Sequence, residues 1–436
     1  MKTICGLAIA VVCLCFALAC GGASSSKGPQ VVSVTVAPST FTMGVGANEQ
    51  FIATVTGSST AVTWQVNQIP GGNASVGTIT PAGLYIAPVT MPASGVTVTA
   101  IATADETKSA SASVTFAASD PLGSAQGTSI ACKNGKISGS CFSVDLSCPG
   151  VADFTAYIKI TKPSVSSPVG TVMFTGGGNG TGLYEDYTYG DTAVNNVVAA
   201  GFIAVQTSFG GPFTDLTPKG WQTGPGGIRR LACRYATLAH WVYANVHNNS
   251  ASRPMCATGN SSGGQLIAET LAHYGTDSIF SMVEPTSGPP FSDMEKSCIC
   301  GPDAQAIQRA CFAGTGDQVL NQCLEKKDAE DYVDPAYSSA ACSQALSSHS
   351  TTNEAQFISD TIQSPDATLN YPHTYLHFLY GGQDVSSAVT LGPDYMSSVT
   401  SNKGLGCVAD APHSISDVLD GAQQVATDII NNCKVY

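Results

Sequence analysis

The strongest constraint on the fold is an alternation of strand-like and helix-like segments that begins near Cys132 and continues to the C-terminus. The strand-like segments are short apolar runs, several of which end in glycine: GTVMFTGGG, GFIAVQTSFGG, RPMCATGN, IFSMVEP, TYLHFLYGG and LGCVADA. One intervening segment carries apolar residues at helical spacing, namely Ile228, Leu231, Tyr235, Leu238 and Val242. Further helices are predicted over 191–200, from about Gly263, and from about Ser416 to Ile430. Strands that alternate with helices predict a mostly parallel sheet with helices on both faces.

Residues 31–117 have a different pattern, with short runs in which every second residue is apolar. Phe51, Ala53 and Val55 form one such set, and turn residues separate the runs. This alternation predicts an antiparallel all-β sandwich. The segments VTVAPSTFTMGVGANEQFIATVTG, AVTWQV and GTITPAGLYIAP also resemble a bacterial Ig-like domain of group 2. We favour a spacer role over cell-surface or polysaccharide contact, because a fold alone does not imply a ligand. Residues 118–130, rich in small side chains, are predicted to be a linker.

The N-terminus predicts export. A single Lys2 precedes the apolar run ICGLAIAVVCLCFALA, which is too short and too early for an ordinary membrane span. We interpret residues 1–19 as a signal peptide. ALAC resembles a bacterial lipobox, which implies lipidation of Cys20, and residues 20–30 would be a flexible tether. The alternative is simple secretion, since the run also ends in an A-x-A cleavage signal.

Cysteine content and charge narrow the functional class. Of 16 cysteines, 12 lie between Cys132 and Cys433, which indicates an oxidising compartment and up to six disulfides of unassigned pairing. Cys298 and Cys300 lack a second ligand pair at a zinc-finger spacing, so no metal is expected. Only 11% of residues are charged and the formal net charge is −13, which argues against nucleic-acid binding.

The stretch GNSSGGQL, residues 259–266, contains a G-x-S-x-G motif centred on Ser261. By itself this pentapeptide is weak evidence in a chain rich in serine and glycine, because it also describes an ordinary turn. Here a predicted strand, 254–258, precedes it and a predicted helix follows it. A nucleophile elbow needs such a strand-to-helix turn with small residues on either side of the serine. The context therefore predicts that Ser261 is a catalytic nucleophile.

With this elbow, residues 131–436 resemble the α/β-hydrolase family. The resemblance implies a chain order of Ser, then Asp, then His. Asp384 follows the strand that ends at Tyr380, and His413 lies in a loop after the last strand. The alternative roles are helix capping for Asp384 and a surface position for His413. Asp360, Asp366 and Asp394 and the six other histidines fit the order less well.

The glycine-rich turn MFTGGGNGTG follows the strand over 171–174 and is similar to the family's H-G-G-G element. That likeness implies an oxyanion hole formed by Gly177 and Gly178, joined by the backbone N–H of Ser262. A phosphate-binding loop is the alternative, but no G-K-[ST] follows the glycines.

About 90 residues separate the strand at 279–285 from the strand before Asp384, and we interpret 288–370 as a Cys-rich cap. The predicted architecture is thus an α/β-hydrolase fold with a cap, preceded by an all-β Ig-like domain. The favoured function is an exported, lipid-anchored serine hydrolase that cleaves small or medium carboxylic esters without a cofactor. Two alternatives stay open: a peptidase or other acyl hydrolase with the same triad, and a non-catalytic adhesion or binding protein.

Overall fold

The computed structural model describes residues 33–435 apart from ten short gaps, which are 44–47, 58–59, 89–91, 93, 117–118, 133–134, 212–219, 306, 312–318 and 338. The predicted signal peptide 1–19, the candidate lipidation site Cys20 and the tether 20–30 lie outside the described residues.

The N-terminal part of the described chain is built from strands. These are β1 (Ser33–Ala37), β2 (Thr40–Met43), β3 (Asn48–Gln50), β4 (Ile52–Thr56), β5 (Val62–Val66), β6 (Ile69–Pro70), β7 (Gly72–Asn73), β8 (Gly77–Ile79), β9 (Leu84–Ile86), β10 (Val96–Ala102) and β11 (Ser109–Phe116). They form three sheets with the orders β1-β4, β2-β11-β10-β5-β6 and β3-β9-β8-β7. The alternation in sequence places Phe51 and Val55 in the interior, whereas Ile52 between them is 61% exposed. The all-β character of this part therefore agrees with apolar residues that recur at every second position of the sequence.

The C-terminal part contains a second, larger set of strands. These are β12 (Ser124–Ile130), β13 (Ser140–Ser147), β14 (Phe154–Thr161), β15 (Thr171–Thr175), β16 (Ile203–Ser208), β17 (Met255–Asn260), β18 (Met282–Thr286), β19 (Ile307–Gln308), β20 (Val319–Leu320), β21 (Tyr375–Gly381) and β22 (Lys403–Val408). Nine of them form one sheet in the order β12-β13-β14-β16-β15-β17-β18-β21-β22, and β19 pairs with β20 separately. From β16 to β22 the neighbours are parallel, and β12 to β16 are joined by antiparallel pairings. The predicted mostly parallel sheet is confirmed for the six neighbouring strands from β16 to β22.

The predicted linker 118–130 is wrong over its second half. Residues 124–130 form β12, the edge strand of the large sheet, and all seven pair with β13. The small residues of β12 show no hydrophobic alternation, so the sequence pattern did not predict this strand. One of them, Gly127, nevertheless has a packing role. A Cβ added to Gly127 would lie 2.2 Å from the ring of Trp241, so the indole packs directly on the strand backbone.

The C-terminal part contains nine α-helices in its described residues. They are α1 (Gly190–Ala199), α2 (Ile228–Asn245), α3 (Ser262–Tyr274), α4 (Met294–Ile299), α5 (Lys326–Asp328), α6 (Ala341–Ser348), α7 (Glu354–Asp360), α8 (Ala388–Ser398) and α9 (Leu419–Asn432). Of these, α1, α2, α3 and α9 pack on the large sheet. Apolar residues of α2 and α3 belong to one buried cluster, and those of α1 and α9 belong to a second. Helices on both faces of a large mixed sheet agree with the predicted α/β-hydrolase fold.

The segment 288–370, between β18 and β21, contains α4 to α7 and the β19–β20 pair. We call it the covering segment. The disulfides Cys298–Cys342 and Cys300–Cys323 close loops inside it, and Cys311–Cys407 fastens it to β22.

Three further disulfides, Cys132–Cys141, Cys148–Cys233 and Cys256–Cys433, bring the total to six and use all 12 cysteines after residue 131. Six disulfides confirm the number predicted and indicate an oxidising compartment. In the described residues, no helix combines the length and the apolar character needed to cross a membrane.

Candidate active site

Ser261 stands at the junction of β17 and α3, with Asn260 ending the strand and Ser262 opening the helix. Its backbone has φ +54° and ψ −118°, in the region that side chains other than glycine rarely adopt. The Ser261 N–H donates to the carbonyl of Thr286 on the neighbouring strand at 2.8 Å. The turn is therefore held in a strained conformation by the sheet beside it, as expected of a nucleophile elbow.

The two glycines of the motif allow this turn by their lack of a side chain. A Cβ added to Gly259 would lie 2.6 Å from the carbonyl carbon of Gly263. A Cβ added to Gly263 would lie 2.7 Å from the carbonyl oxygen of Gly176 in the glycine-rich turn. Real Cβ atoms do not approach backbone this closely, so larger residues would force α3 away from β17 and from the turn after β15.

Asp384 and His413 lie in direct contact at the carboxyl ends of β21 and β22. The Asp384 Oδ2 atom is 2.9 Å from His413 Nδ1, and the carboxylate is almost fully buried. Burial by itself raises the pKa of Asp384, but the hydrogen bond and charge of His413, together with hydrogen bonds from Ser386, outweigh it and lower the pKa. Asp384 is therefore a carboxylate near neutral pH, and it fixes a proton on Nδ1 of the imidazole.

Ser386 is a second neighbour of this pair that the sequence did not reveal. Its Oγ is 3.0 Å from His413 Nδ1, and its N–H donates to Asp384 Oδ1 at 2.9 Å. On the other side, Arg309 of the covering segment donates to the backbone carbonyls of Gly382 and Asp384. The loop that carries the carboxylate is thus fixed from two directions.

Asn260, the residue before the nucleophile, connects the elbow to the histidine loop. Its Oδ1 accepts from the backbone N–H of Ile415 at 3.2 Å and from the Thr286 hydroxyl at 3.1 Å. Because Ile415 follows His413 by two residues, this hydrogen bond joins the turn that carries Ser261 to the loop that carries His413.

Ser261 and His413 open onto one cavity of about 350 Å³. Other lining residues come from the elbow and the glycine-rich turn (Ser262, Gly177, Gly178) and from the covering segment (Pro290, Phe291, Leu324, Asp328, Tyr332). The structure therefore brings five of the six predicted site residues to a common space, with Asp384 directly behind His413.

The geometry of the glycine-rich turn departs from the predicted oxyanion hole. The Gly177 N–H donates to the hydroxyl of Tyr187 at 2.6 Å, so in this structure it is engaged by a side chain, and its role toward a substrate oxygen stays a prediction. The carbonyl of Gly178 accepts a hydrogen bond from the Ser262 hydroxyl, which fixes the turn against the start of α3. The backbone N–H of Ser262 lies at the N-terminus of α3, where the helix dipole favours negative charge.

No family model matches the chain, and no curated protein matches it. Among solved structures the chain is similar to Est1E from Butyrivibrio proteoclasticus, with 10% identity and a TM-score of 0.40 over 68% of this chain and 99% of that chain. It is similar to a dienelactone hydrolase from Anabaena variabilis, with 12% identity and a TM-score of 0.36 over 72% of this chain and 99% of that one. A cold-adapted esterase from an Arctic intertidal metagenomic library is 13% identical, with a TM-score of 0.40 over 70% of this chain and 100% of that one. Because these TM-scores are below 0.5, the fold assignment depends on the sheet order and helix positions described above.

The three aspartates that fitted the predicted chain order less well than Asp384 have other partners. Asp366 pairs with Arg229, Asp394 pairs with Lys296, and Asp360 accepts from the Tyr337 hydroxyl. None of these bonds involves His413.

A separate buried cluster joins β18, β21 and α9. His377 Nδ1 lies 3.0 Å from a carboxylate oxygen of Glu284 and 3.5 Å from one of Asp428. Within the described part of the chain, these three side chains are the group whose donor atoms are close enough to hold a metal. Glu284 and His377 already form a direct hydrogen bond, so a shared proton satisfies this pair. None of the three lines the cavity at Ser261.

Proposed function

We propose that the chain is a serine hydrolase that cleaves carboxylic esters, with Ser261 as nucleophile, His413 as general base and Asp384 as its partner. One observation carries this proposal. A serine at positive φ, at the start of a helix, shares a cavity with a histidine that is bonded to a buried carboxylate. Neither feature is diagnostic alone, since Ser287 also has positive φ and His377 also bonds a buried carboxylate, so the proposal depends on their combination at one cavity.

The proposed reaction begins when His413 takes the proton of the Ser261 hydroxyl as its oxygen attacks the acyl carbon. Since Nδ1 is bonded to Asp384, the other ring nitrogen, Nε2, is the base. The carbonyl electron pair moves to oxygen, and the tetrahedral species collapses as the alcohol leaves with the proton from His413. Water, deprotonated by the same imidazole, then cleaves the acyl-enzyme to the acid and restores Ser261.

The size and lining of the cavity support a small or medium ester. Phe291 and Leu324 offer apolar contact, and Asp328 and Tyr332 add polar groups from the covering segment. A space of about 350 Å³ accommodates a small molecule, whereas a polymer chain needs an open groove.

Hydrolysis of p-nitrophenyl esters from C2 to C12 by the mature, oxidised chain tests the proposal. We expect activity that falls for the longer acyl chains and that Ser261→Ala reduces at least about 10³-fold. Ser278→Ala, a substitution in a surface turn, serves as the matched control. A folded protein that hydrolyses none of these esters would move the proposal to a peptidase or to a binding protein.

We further propose that the enzyme is exported and lipid-anchored through Cys20, with the all-β part as a spacer between the membrane and the catalytic domain. The six disulfides support export, and the lipobox-like ALAC supports the anchor. Contact of the Ig-like segment with a polysaccharide or a cell surface is the alternative role.

A further inference from the structure

Of the three predicted oxyanion donors, the N–H of Gly177 is engaged by a side chain, so the predicted oxyanion hole lacks one donor on the side of the glycine-rich turn. Acyl transfer by serine hydrolases relies on donors placed where the negative charge develops, and each donor contributes substantially to the rate. The group that accepts from Gly177 is the phenol of Tyr187, which also lines the cavity.

Tyr187 lies beside the nucleophile. A Cβ added to Gly177 would lie 3.1 Å from the Tyr187 hydroxyl oxygen and 3.2 Å from Cβ of Ser261, so both groups border the same point. The ring of Tyr187 packs edge-on against Tyr184, with centroids 5.1 Å apart. Lys136 fixes the backbone by donating to the Tyr187 carbonyl at 2.9 Å. The phenol is therefore held in place before a substrate arrives.

The hydroxyl is in the right chemical state to donate. Burial raises the pKa of Tyr187 to about 12, against a smaller lowering by the bond from Gly177, so the phenol keeps its proton at neutral pH. A hydroxyl that accepts one hydrogen bond still has its own proton to give. No oxygen of the residues that the structure describes takes that proton, and the N–H of Gly177 polarises the phenol as a donor.

We propose that the Tyr187 hydroxyl, oriented by Gly177, donates a hydrogen bond to the oxyanion that forms when Ser261 attacks the substrate. The backbone N–H groups of Ser262 and Gly178 stay the other predicted donors. The phenol keeps its proton throughout the cycle, and His413 carries the proton that Ser261 gives up. This inference rests on the proposed esterase function, and it makes Tyr187 a catalytic residue and Gly177 a positioning residue.

Tyr187→Phe removes only the hydroxyl and tests the proposal. We expect kcat on the best p-nitrophenyl ester to fall about 10²–10³-fold, with KM changed less than about twofold, because the bond forms in the transition state. Affinity for a trifluoromethyl ketone, which binds the serine as a tetrahedral adduct, should fall in parallel with kcat/KM. Tyr189→Phe, an exposed tyrosine of the same segment, is the matched control and should keep wild-type kinetics.

The opposite result is equally informative, because phenylalanine at position 187 would release the Gly177 N–H toward the substrate. Unchanged or increased kcat in Tyr187→Phe would overturn the role of Tyr187 and restore Gly177 as the donor. A wild-type protein without esterase activity, or full activity in Ser261→Ala, would instead contradict the proposed function itself.

Discussion

The buried cluster of Glu284, His377 and Asp428 makes stability depend on pH in a direction that can be worked out. Burial raises the pKa of Glu284 to about 7, against the lowering by the His377 hydrogen bond and charge. Burial lowers the pKa of His377, but the Glu284 bond and the charges of Glu284 and Asp428 outweigh it and raise the value. Burial also raises the pKa of Asp428. All three groups therefore hold protons more firmly in the native protein than in the unfolded chain.

Because the native state binds more protons, the free energy of unfolding falls as pH rises. The contribution of Glu284 is fully present below its unfolded pKa of 4.5 and is lost as pH rises to about 7. Its shift corresponds to roughly 3 kcal/mol, of which about 2–3 kcal/mol disappears between pH 5 and pH 8. Glu284→Gln should remove this loss of stability at higher pH. It should also remove the part of the raised pKa of His377 that Glu284 causes.

Urea denaturation of the mature, oxidised chain at pH 5 and pH 8, followed by near-UV circular dichroism, measures the effect. Comparing the variant with the wild type isolates the cluster, since every other titrating group is common to both. Glu330→Gln, a substitution of an exposed surface glutamate, should keep the wild-type dependence. An equal change of stability with pH in wild type and Glu284→Gln would refute the reasoning.

Two further predictions concern the catalytic site. Asp384→Asn should lower kcat about 10³–10⁴-fold, because an amide no longer fixes the imidazole tautomer or stabilises its cation; steady-state kinetics check this against Asp394→Asn, which lies on a surface ion pair. Gly259→Ala should lower the free energy of unfolding by about 1–3 kcal/mol and reduce kcat/KM, because its Cβ would overlap the backbone of Gly263. Gly301→Ala, whose Cβ meets open space, is the control for both the urea midpoint and kcat/KM. A urea midpoint of Gly259→Ala equal to that of the wild type would contradict the second prediction.

The order of elements in the parallel half of the sheet could be predicted from the sequence, because buried parallel strands have apolar sequences that several times end in glycine. The helix predicted over 191–200 is α1 (Gly190–Ala199), and the one predicted from about Gly263 begins at Ser262. The resemblance to the α/β-hydrolase family implied the chain order that pairs Asp384 with His413, and the structure places the two in contact. The catalytic roles of these residues stay predictions.

Tyr187 could not be predicted, because its approach to Gly177 depends on how the chain folds between β15 and α1. Three tyrosines in the stretch LYEDYTYG were the available signal, but nothing in their spacing distinguishes the one that faces the cavity. Ser386 could not be predicted either, because a serine two residues after an aspartate is also common in ordinary turns. The strand β12 was missed because serine, alanine and glycine carry little hydrophobic alternation.

The Cys311–Cys407 bond has a kinetic consequence. It joins the covering segment to β22, and Arg309 beside it binds the loop that carries Asp384. Under the proposed function, this attachment predicts that the covering segment does not open as a hinged lid when a substrate enters. A proposed esterase of this kind would then select its substrates by size at entry, and we expect no increase of its activity at a lipid surface.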